Sequence, residues 1–271
     1  MTIQQQFHGF LNTPNLWKEK AVFGMEQLEL TGMKGDIPSK EFNPKLRLGK
    51  LVEEFVFEVL NQSASTEIIA ENIQIRKEKI SIGEIDCILK HFNELIHLEI
   101  VYKFYLYDER IEGSNLHKWI GPNRKDNLIH KLTKLKEKQL PMLFREEAQK
   151  SIDALNIDLK INDENILQKV LFKAQLFVPK SQLLDTFPSI NNDCIKGFYI
   201  PYIELKDLRQ NEFYIPNKRA WLTEPHLDVE WLNYNQFDNE INVYYHEQRS
   251  PLCWIKTTDG TTQKFFVVSW D

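Results

Sequence analysis

The pattern of apolar and polar positions predicts an ordered series of helices and strands between residues 46 and 178. Apolar side chains recur at helical spacing in the first part of this region, at Leu48, Leu51, Val52, Phe55, Val56 and Val59. This spacing predicts an amphipathic helix. The next elements are predicted in the order strand, strand, strand, helix and strand, over residues 67–76, 82–90, 95–107, 121–140 and 170–178.

The rest of the chain divides into two further parts. Residues 1–45 hold short apolar patches broken by prolines, which predicts an N-terminal helical and loop segment. Residues 181–271 are rich in aromatic residues and short β-like runs, which predicts a β-rich C-terminal extension. The expected domain organisation is therefore this N-terminal segment, a core over residues 46–180 and the extension. The expected fold class is α/β.

Composition restricts the class of protein. Hydrophobic residues make up 42% and charged residues 27% of the 271 residues, as in ordinary globular proteins. The three cysteines are odd in number and include no CxxC pair, which disfavours a zinc site or a disulfide framework and favours a reducing compartment. No secretory signal pattern and no uninterrupted apolar run of membrane-spanning length is present, so we expect a cytoplasmic protein that does not engage a membrane.

The predicted strands at 82–90 and 95–107 form a hairpin that carries acidic residues at its centre. An antiparallel pairing can place Asp86 and Glu99 side by side. Because like charges opposite each other destabilise a sheet, a positive group must offset them. Lys103 is one candidate, and a hard divalent cation that binds carboxylate oxygens is the other. Carboxylates, a metal and a lysine can together hydrolyse a phosphodiester. The alternative is a solvent-facing sheet with a salt bridge to Lys103.

Each flanking helix carries a polar residue next to or within its apolar face. With about 100° per residue, Glu53 falls at the edge of the apolar arc of the first helix and can lean towards the sheet. Gln139 falls in the middle of the apolar face of the second helix, for which Asn123 is the expected N-cap. A glutamine that faces a sheet needs a partner, such as backbone, a metal-bound water or substrate.

Charge is unevenly distributed along the chain. The formal net charge is -5, which argues against a generally basic nucleic-acid-binding surface. Residues 118–138, however, hold seven basic residues against two acidic ones. The nucleic-acid-binding candidates in this segment are Lys118, Arg124, Lys125 and Lys131. The alternative is an ordinary solvated helix face.

Several segments together resemble a known family. They are RLGKLVEEF, AENIQI, IGEIDCIL, HLEIVYKFYL, WIGPNRKDNLIHKLTKLKEKQLP and WLTEP. They resemble the bacterial domain-of-unknown-function family 1853, which is grouped with the PD-(D/E)XK nuclease superfamily. The similarity is concentrated between about residues 47 and 141, and it is weaker towards the C-terminus.

The resemblance implies a restriction-endonuclease-like core of helix, three strands, helix and strand, in the order predicted above. It implies that Asp86 and Glu99 hold a Mg²⁺ or Mn²⁺ ion, supported by Glu53. It also implies that Lys103 is the motif lysine that stabilises charge near the attacking water. Gln139 would orient water or substrate.

Two positions depart from the family pattern. Ile85 stands where the motif has proline, and the spacing is Glu-x-x-x-Lys, with Val101 in the usual lysine position. Lys103 therefore lies about 6.6 Å further along the strand than that position.

The function expected from these observations is metal-dependent hydrolysis of phosphodiester bonds in DNA or RNA, with nucleic acid as the partner. The displaced lysine motivates an alternative, a catalytically degenerate nuclease fold that serves as a nucleic-acid-binding or protein-binding module. A third alternative is a hydrolase of another class that uses two acids, such as a glycosidase.

Overall fold

The computed structural model describes residues 1–18, 22–30, 41–157, 159 and 166–270. The helices are α1 Ile3–Leu11, α2 Leu48–Asn61, α3 Leu128–Lys134, α4 Glu146–Ala154 and α5 Tyr234–His246. The strands are β1 Glu26–Gln27, β2 Thr66–Lys77, β3 Ile80–His91, β4 Glu94–Tyr107, β5 Trp119–Ile120, β6 Ile166–Pro179, β7 Ile195–Pro201, β8 Glu212–Tyr214, β9 Leu252–Lys256 and β10 Thr262–Val268. The expected α/β class is confirmed.

The chain forms two compact units, which we call unit 1 and unit 2. Unit 1 consists of Met1–Pro14, Lys103–Ile129 and Ala174–Asp271, and unit 2 of Asn15–Tyr102 and His130–Lys173. Strands β4 and β6 contribute residues to both units. The three-part division expected from the sequence stays a prediction.

Unit 2 contains the sheet that positions the candidate site. Strand β2 pairs antiparallel with β3, and β3 pairs antiparallel with β4. The predicted apolar positions of α2 are all buried. A second apolar cluster joins β2 and β3 to residues of the later helices, including Ile73, Ile85, Leu143 and Ile152. Burial of this apolar surface holds the helices against the strands.

Unit 1 is built around a mixed set of strands. Strands β6, β7 and β10 pair in parallel, and β9 pairs antiparallel with both β10 and β8. An apolar cluster that includes Phe213, Phe237 and Phe265 packs α5 against these strands. Residues 181–271 contribute the short strands β7 to β10 together with helix α5 and short 3₁₀ segments, so the expectation of a β-rich C-terminal extension stays a prediction.

The second predicted helix differs from the expectation. Helix α3 begins at Leu128, so the prediction of Asn123 as its N-cap is wrong. The Asn123 side chain instead accepts a hydrogen bond from the backbone N–H of Ser250, and Gly121 N–H bonds to Asp126 O within the loop that precedes the helix. After Lys134 the chain continues as a π-helical segment, Leu135–Gln139, and then as a 3₁₀ segment, Leu140–Phe144.

No helix among the described residues combines the length and the apolar character needed to span a bilayer.

Candidate functional site

The site forms in unit 2 where strands β3 and β4 separate. Their ladder runs from His91 and Glu94 to Cys87 and Leu98, and it stops there. The same register, continued by one residue, places Asp86 opposite Glu99. Beyond this point the backbone N–H of Ile100 donates to the Asp86 carboxylate at 2.9 Å. A side chain thus satisfies a strand donor that lies past the end of the ladder.

A cavity of about 540 Å³ opens at this separation. Its lining residues are Lys50, Glu53, Ile82, Gly83, Glu84, Asp86, Ile100, Lys131, Lys134, Lys138, Gln139, Met142 and Arg145. The carboxylates come from α2 and β3, whereas most of the cations come from α3 and the segments after it. We call the second group, Lys131, Lys134, Lys138 and Arg145, the cationic wall. The cavity therefore has an acidic and a basic side.

Glu99 is completely buried and is held by two neutral donors. The amide of Gln139 donates to its Oε2 at 2.5 Å, and His97 Nε2 lies 3.2 Å from its Oε1. The amide nitrogen of Gln168 lies within hydrogen-bond distance of both the Leu140 carbonyl and His97 Nδ1. Because a carbonyl only accepts, that nitrogen is the donor, and Nδ1 must be an acceptor. The His97 proton is therefore on Nε2 and points to Glu99.

The electrostatics of Asp86 reflect this crowding. Burial raises the pKa of its carboxyl to about 7, and the nearby charge of Glu99 adds to the increase. The bond from Ile100 and the charge of Lys131 act in the opposite direction. Burial also raises the pKa of Glu53, against the lowering effect of Lys50. The pKa of Asp86 is therefore raised mainly by burial and by Glu99, and Ile100 and Lys131 offset only part of that increase.

Lys50 organises the outer acidic residues of the cavity. Its ammonium donates to Glu53 at 2.6 Å, to Glu84 at 2.5 Å and to Asn72 at 3.0 Å. Although burial lowers the pKa of Lys50, its hydrogen bonds to Glu53 and Glu84 raise it above the ordinary lysine value. Glu84 also accepts a hydrogen bond from Gln74. Lys50 therefore fixes Glu53 at the edge of the site.

The π-helical segment sets the direction of Gln139. Leu140 N–H bonds to Leu135 O, five residues earlier. In an uninterrupted α-helix, Lys131 and Gln139 would project about 80° apart. A π turn is wider, so each residue rotates less about the axis. With this segment in place, Lys131 Nζ donates to Gln139 Oε1 at 2.6 Å while the Gln139 amide reaches Glu99.

The donor set bears on metal binding. Among the described residues, no group of three or more His, Cys, Asp or Glu side chains is arranged to hold a metal ion. Asp86 and Glu99 form a pair of oxygen donors. Mg²⁺ commonly uses one or two carboxylates and completes its coordination with water and phosphate. Two carboxylates match the number of protein ligands in that type of site, and they are too few for an all-protein cage.

Comparison with protein families assigns the chain to a group. A family model described as a domain of unknown function, DUF1853, matches residues 26–268. The chain belongs to the DUF1853 family. Comparison with curated proteins gave no match, and comparison with solved structures gave none either.

The DUF1853 chain brings four of the five predicted catalytic residues together. Glu53, Asp86 and Gln139 line the cavity, and Glu99 lies behind Gln139. Lys103 is part of unit 1, where its ammonium donates to Asp126 at 2.8 Å. It is not among the described residues that line the cavity.

Of the four predicted nucleic-acid-binding residues, one lines the cavity and three belong to unit 1. Lys131 lines the cavity. Arg124 donates to the buried Asp108 carboxylate at 2.8 Å, and the Lys118 ammonium lies 6.0 Å from the centre of the Tyr107 ring. Lys125 is exposed in the same loop as Arg124. These three residues belong to unit 1.

Sequence reasoning did not assign a role to several residues of the DUF1853 site. Lys50 precedes Glu53 by three residues, and that spacing on a helix is a signal that an ion pair forms on one face. His97 lies on the same face of β4 as Glu99, two residues earlier. The sequence offers no second histidine at ligand spacing, so it did not indicate a role for His97. Lys134, Lys138 and Arg145 line the same cavity as Lys131. The basic composition of residues 118–138 indicated Lys134 and Lys138 as part of a basic segment but does not include Arg145.

Proposed function

We propose that the DUF1853 chain is a metal-dependent nuclease whose active site is the cavity at the separation of β3 and β4. The observation that carries this proposal is the half-buried Asp86, which lines the cavity together with the cationic wall and lies opposite the buried Glu99 in the β3–β4 register. Two adjacent carboxylates suit a divalent cation, and a row of cations suits a phosphodiester backbone.

The order of elements supports a restriction-endonuclease-like core. Along the chain, α2 is followed by β2, β3, β4, α3 and β6, with the two-residue strand β5 before α3 and helix α4 between α3 and β6. Apart from β5 and α4, this is the helix, three strands, helix and strand that the resemblance to PD-(D/E)XK nucleases implies. In such a core the acidic residues are expected on the central strands, as Asp86 and Glu99 are.

Asp86 and Glu99 would hold a Mg²⁺ or Mn²⁺ ion. When bound, such an ion lowers the pKa of a coordinated water and polarises the phosphate. The chain's own groups then have defined tasks. Gln139 and His97 keep the Glu99 carboxylate in one orientation through their hydrogen bonds. Glu53, fixed by Lys50, adds negative charge at the cavity edge, and the cationic wall binds the substrate backbone.

The test is cleavage of a panel of single-stranded, duplex and branched DNA and of RNA, each in Mn²⁺, Mg²⁺ and EDTA. The wild type is compared with Asp86→Asn and Glu99→Gln, and with Glu94→Gln as a control. Glu94 lies on the same strand as Glu99 but is exposed. We expect metal-dependent cleavage that both site variants lose and the control keeps. Calorimetry with Mn²⁺ should show the same dependence.

Two results would contradict the proposal. Cleavage that continues in EDTA would indicate a hydrolase of another class. Absence of both cleavage and Mn²⁺ binding in the wild type would favour the catalytically degenerate alternative. In that case nucleic acid or protein would still bind, and the binding would persist in Asp86→Asn.

A further inference from the structure

The cations of the cavity differ in what holds them. Lys50 is bound between Glu53 and Glu84 at the outer acidic side. Lys134, Lys138 and Arg145 are exposed. Lys131 is half-buried, so it is less exposed to solvent than the other three residues of the cationic wall.

Lys131 is connected to the buried Glu99 by a short chain of hydrogen bonds. Its ammonium donates to Gln139 Oε1 at 2.6 Å, and the amide nitrogen of the same residue donates to Glu99 at 2.5 Å. The ionised Glu99 carboxylate only accepts hydrogen bonds, so the Gln139 side chain directs its NH₂ group to Glu99 and its oxygen to Lys131. A positive charge is therefore positioned one amide away from Glu99. Lys131 and Asp86 also line the same cavity.

Lys103 has a different environment. It forms an ion pair with Asp126 at 2.8 Å within unit 1. Gly121 permits the Asp126 carboxylate to approach the loop backbone, since a Cβ at this position would lie 2.0 Å from its Oδ1. The loop that precedes α3 is thus built to hold the partner of Lys103, which assigns that lysine a role in the loop.

We propose that Lys131, held by Gln139, is the residue that supplies positive charge to the reacting phosphate in place of Lys103. This inference rests on the proposed nuclease function and names a residue of the same site. It assigns the motif lysine's task to a helix that faces the carboxylate strands across the cavity.

The task of Lys131 in the reaction follows from its charge. A water oxygen forms a bond to phosphorus, and the bond between phosphorus and the leaving oxygen breaks. The bonding electron pair stays on the leaving oxygen, which takes a proton from solvent, while the attacking water releases its proton to solvent. Negative charge builds up on the non-bridging oxygens, and the Lys131 ammonium stabilises it without giving up a proton.

The experiment compares steady-state cleavage of the best-cut nucleic acid of the panel, in Mn²⁺, by wild type, Lys131→Met, Lys103→Met and Lys136→Met. Lys136 is an exposed lysine of the π-helical segment that does not line the cavity and serves as the matched control. We expect Lys131→Met to lower kcat by about 100-fold or more, as the loss of a transition-state donor does. Mn²⁺ affinity measured by calorimetry should stay within about threefold of the wild type, since Lys131 is not a metal ligand.

A second variant separates loss of charge from loss of folding. The three native cysteines are buried, so a cysteine introduced as Lys131→Cys is the accessible thiol for alkylation with 2-bromoethylamine. The reaction replaces the lost ammonium by one of nearly the same length. We expect alkylation to raise the kcat of Lys131→Cys at least about tenfold and to leave the identically treated wild type unchanged.

The outcomes distinguish this inference from the function on which it rests. If the wild type cleaves and Lys131→Met cleaves as well as Lys136→Met, only the role of Lys131 is overturned. A larger loss in Lys103→Met than in Lys131→Met, or no gain from alkylation, overturns it as well. If the wild type cleaves nothing, the nuclease proposal fails and this inference fails with it.

Discussion

Asp86 carries two electrostatic costs in the folded chain. Its carboxylate is partly removed from water, and it lies close to Glu99, so its pKa is raised to about 7. The unfolded chain bears neither cost. A group whose pKa is raised on folding makes folding less favourable wherever it must ionise. Proteins retain such destabilising groups where function requires them, which supports a functional role for this pair.

The first prediction concerns the stability of Asp86→Asn without metal. The folded state binds a proton that the unfolded state releases between about pH 4 and pH 7, so the cost is complete above pH 7 and is relieved as the pH falls. The asparagine oxygen can still accept from Ile100, but it carries no charge. We expect Asp86→Asn to raise the free energy of unfolding by about 2 kcal/mol at pH 8 and by much less at pH 5.

Urea unfolding in EDTA at both pH values measures this effect. Glu94→Gln, an exposed acid on β4, is the control and should change stability by less than about 0.5 kcal/mol at either pH. A lower free energy of unfolding for Asp86→Asn at pH 8 would show that the ionised Asp86 carboxylate does not destabilise the folded state.

At the scale of elements, two helical segments determine close local contacts. The π-helical segment turns Gln139 towards both Lys131 and Glu99. Helix α1, which a capping box at Thr2 begins, packs within unit 1 against the segment Lys218–Leu222. At Gly9 the contact is so close that a Cβ would lie 1.9 Å from the Leu222 carbonyl oxygen.

The second prediction uses the two helical glycines as a pair. Gly9→Ala should lower the free energy of unfolding by about 2–4 kcal/mol, because a backbone carbonyl cannot move aside as a flexible side chain does. Gly49→Ala, on α2, has nothing within 4 Å of the added Cβ. It should leave stability unchanged or raise it by up to about 1 kcal/mol, since alanine is the better helix former.

Thermal and urea unfolding of both variants check this pair. Equal effects at the two positions would mean that α1 does not pack at Gly9 as described.

At the scale of the whole molecule, attraction for a polyanion must be local. The chain has a formal net charge of -5, so its average field repels nucleic acid. The cationic wall concentrates positive charge at one cavity. Binding through such a wall releases counterions from the phosphate backbone and therefore depends on salt concentration.

The third prediction follows from that dependence. In EDTA, the affinity for a labelled single-stranded DNA should fall as salt rises, and Lys138→Gln should reduce the slope of log K against log salt by about one unit. Lys136→Gln, outside the cavity, should leave the slope as in the wild type. Fluorescence anisotropy across a salt series measures both. Equal slopes for the two variants would place the DNA away from the cationic wall.

Local patterns in the sequence were sufficient for much of the fold. The helical period of residues 48–59 and the alternation along β3 and β4 predicted α2 and the hairpin with little error in their bounds. The same alternation brought Asp86 opposite Glu99, because register in a short hairpin follows from the turn and from which face is buried. Glu53 and Gln139 were found because each departs from an apolar helix face.

Features that depend on distant parts of the chain were not predictable. The sequence does not show that the helix after Leu128 changes to π-helical bonding, which decides where Gln139 points. The start of α3 was misplaced because Asn123 bonds to Ser250, more than a hundred residues away. Lys103 and Lys131 look equivalent as isolated lysines.

The sequence by itself determined helix α2, the hairpin and the acidic pair at its centre, because these depend on residues close together along the chain. Tertiary structure alone decided which lysine is connected to that pair. It paired Lys103 with Asp126 in unit 1, and it connected Lys131 through Gln139 to Glu99 in unit 2. The physical reason is that the position of a charge depends on which segments pack together, and side-chain spacing along one strand does not contain that information.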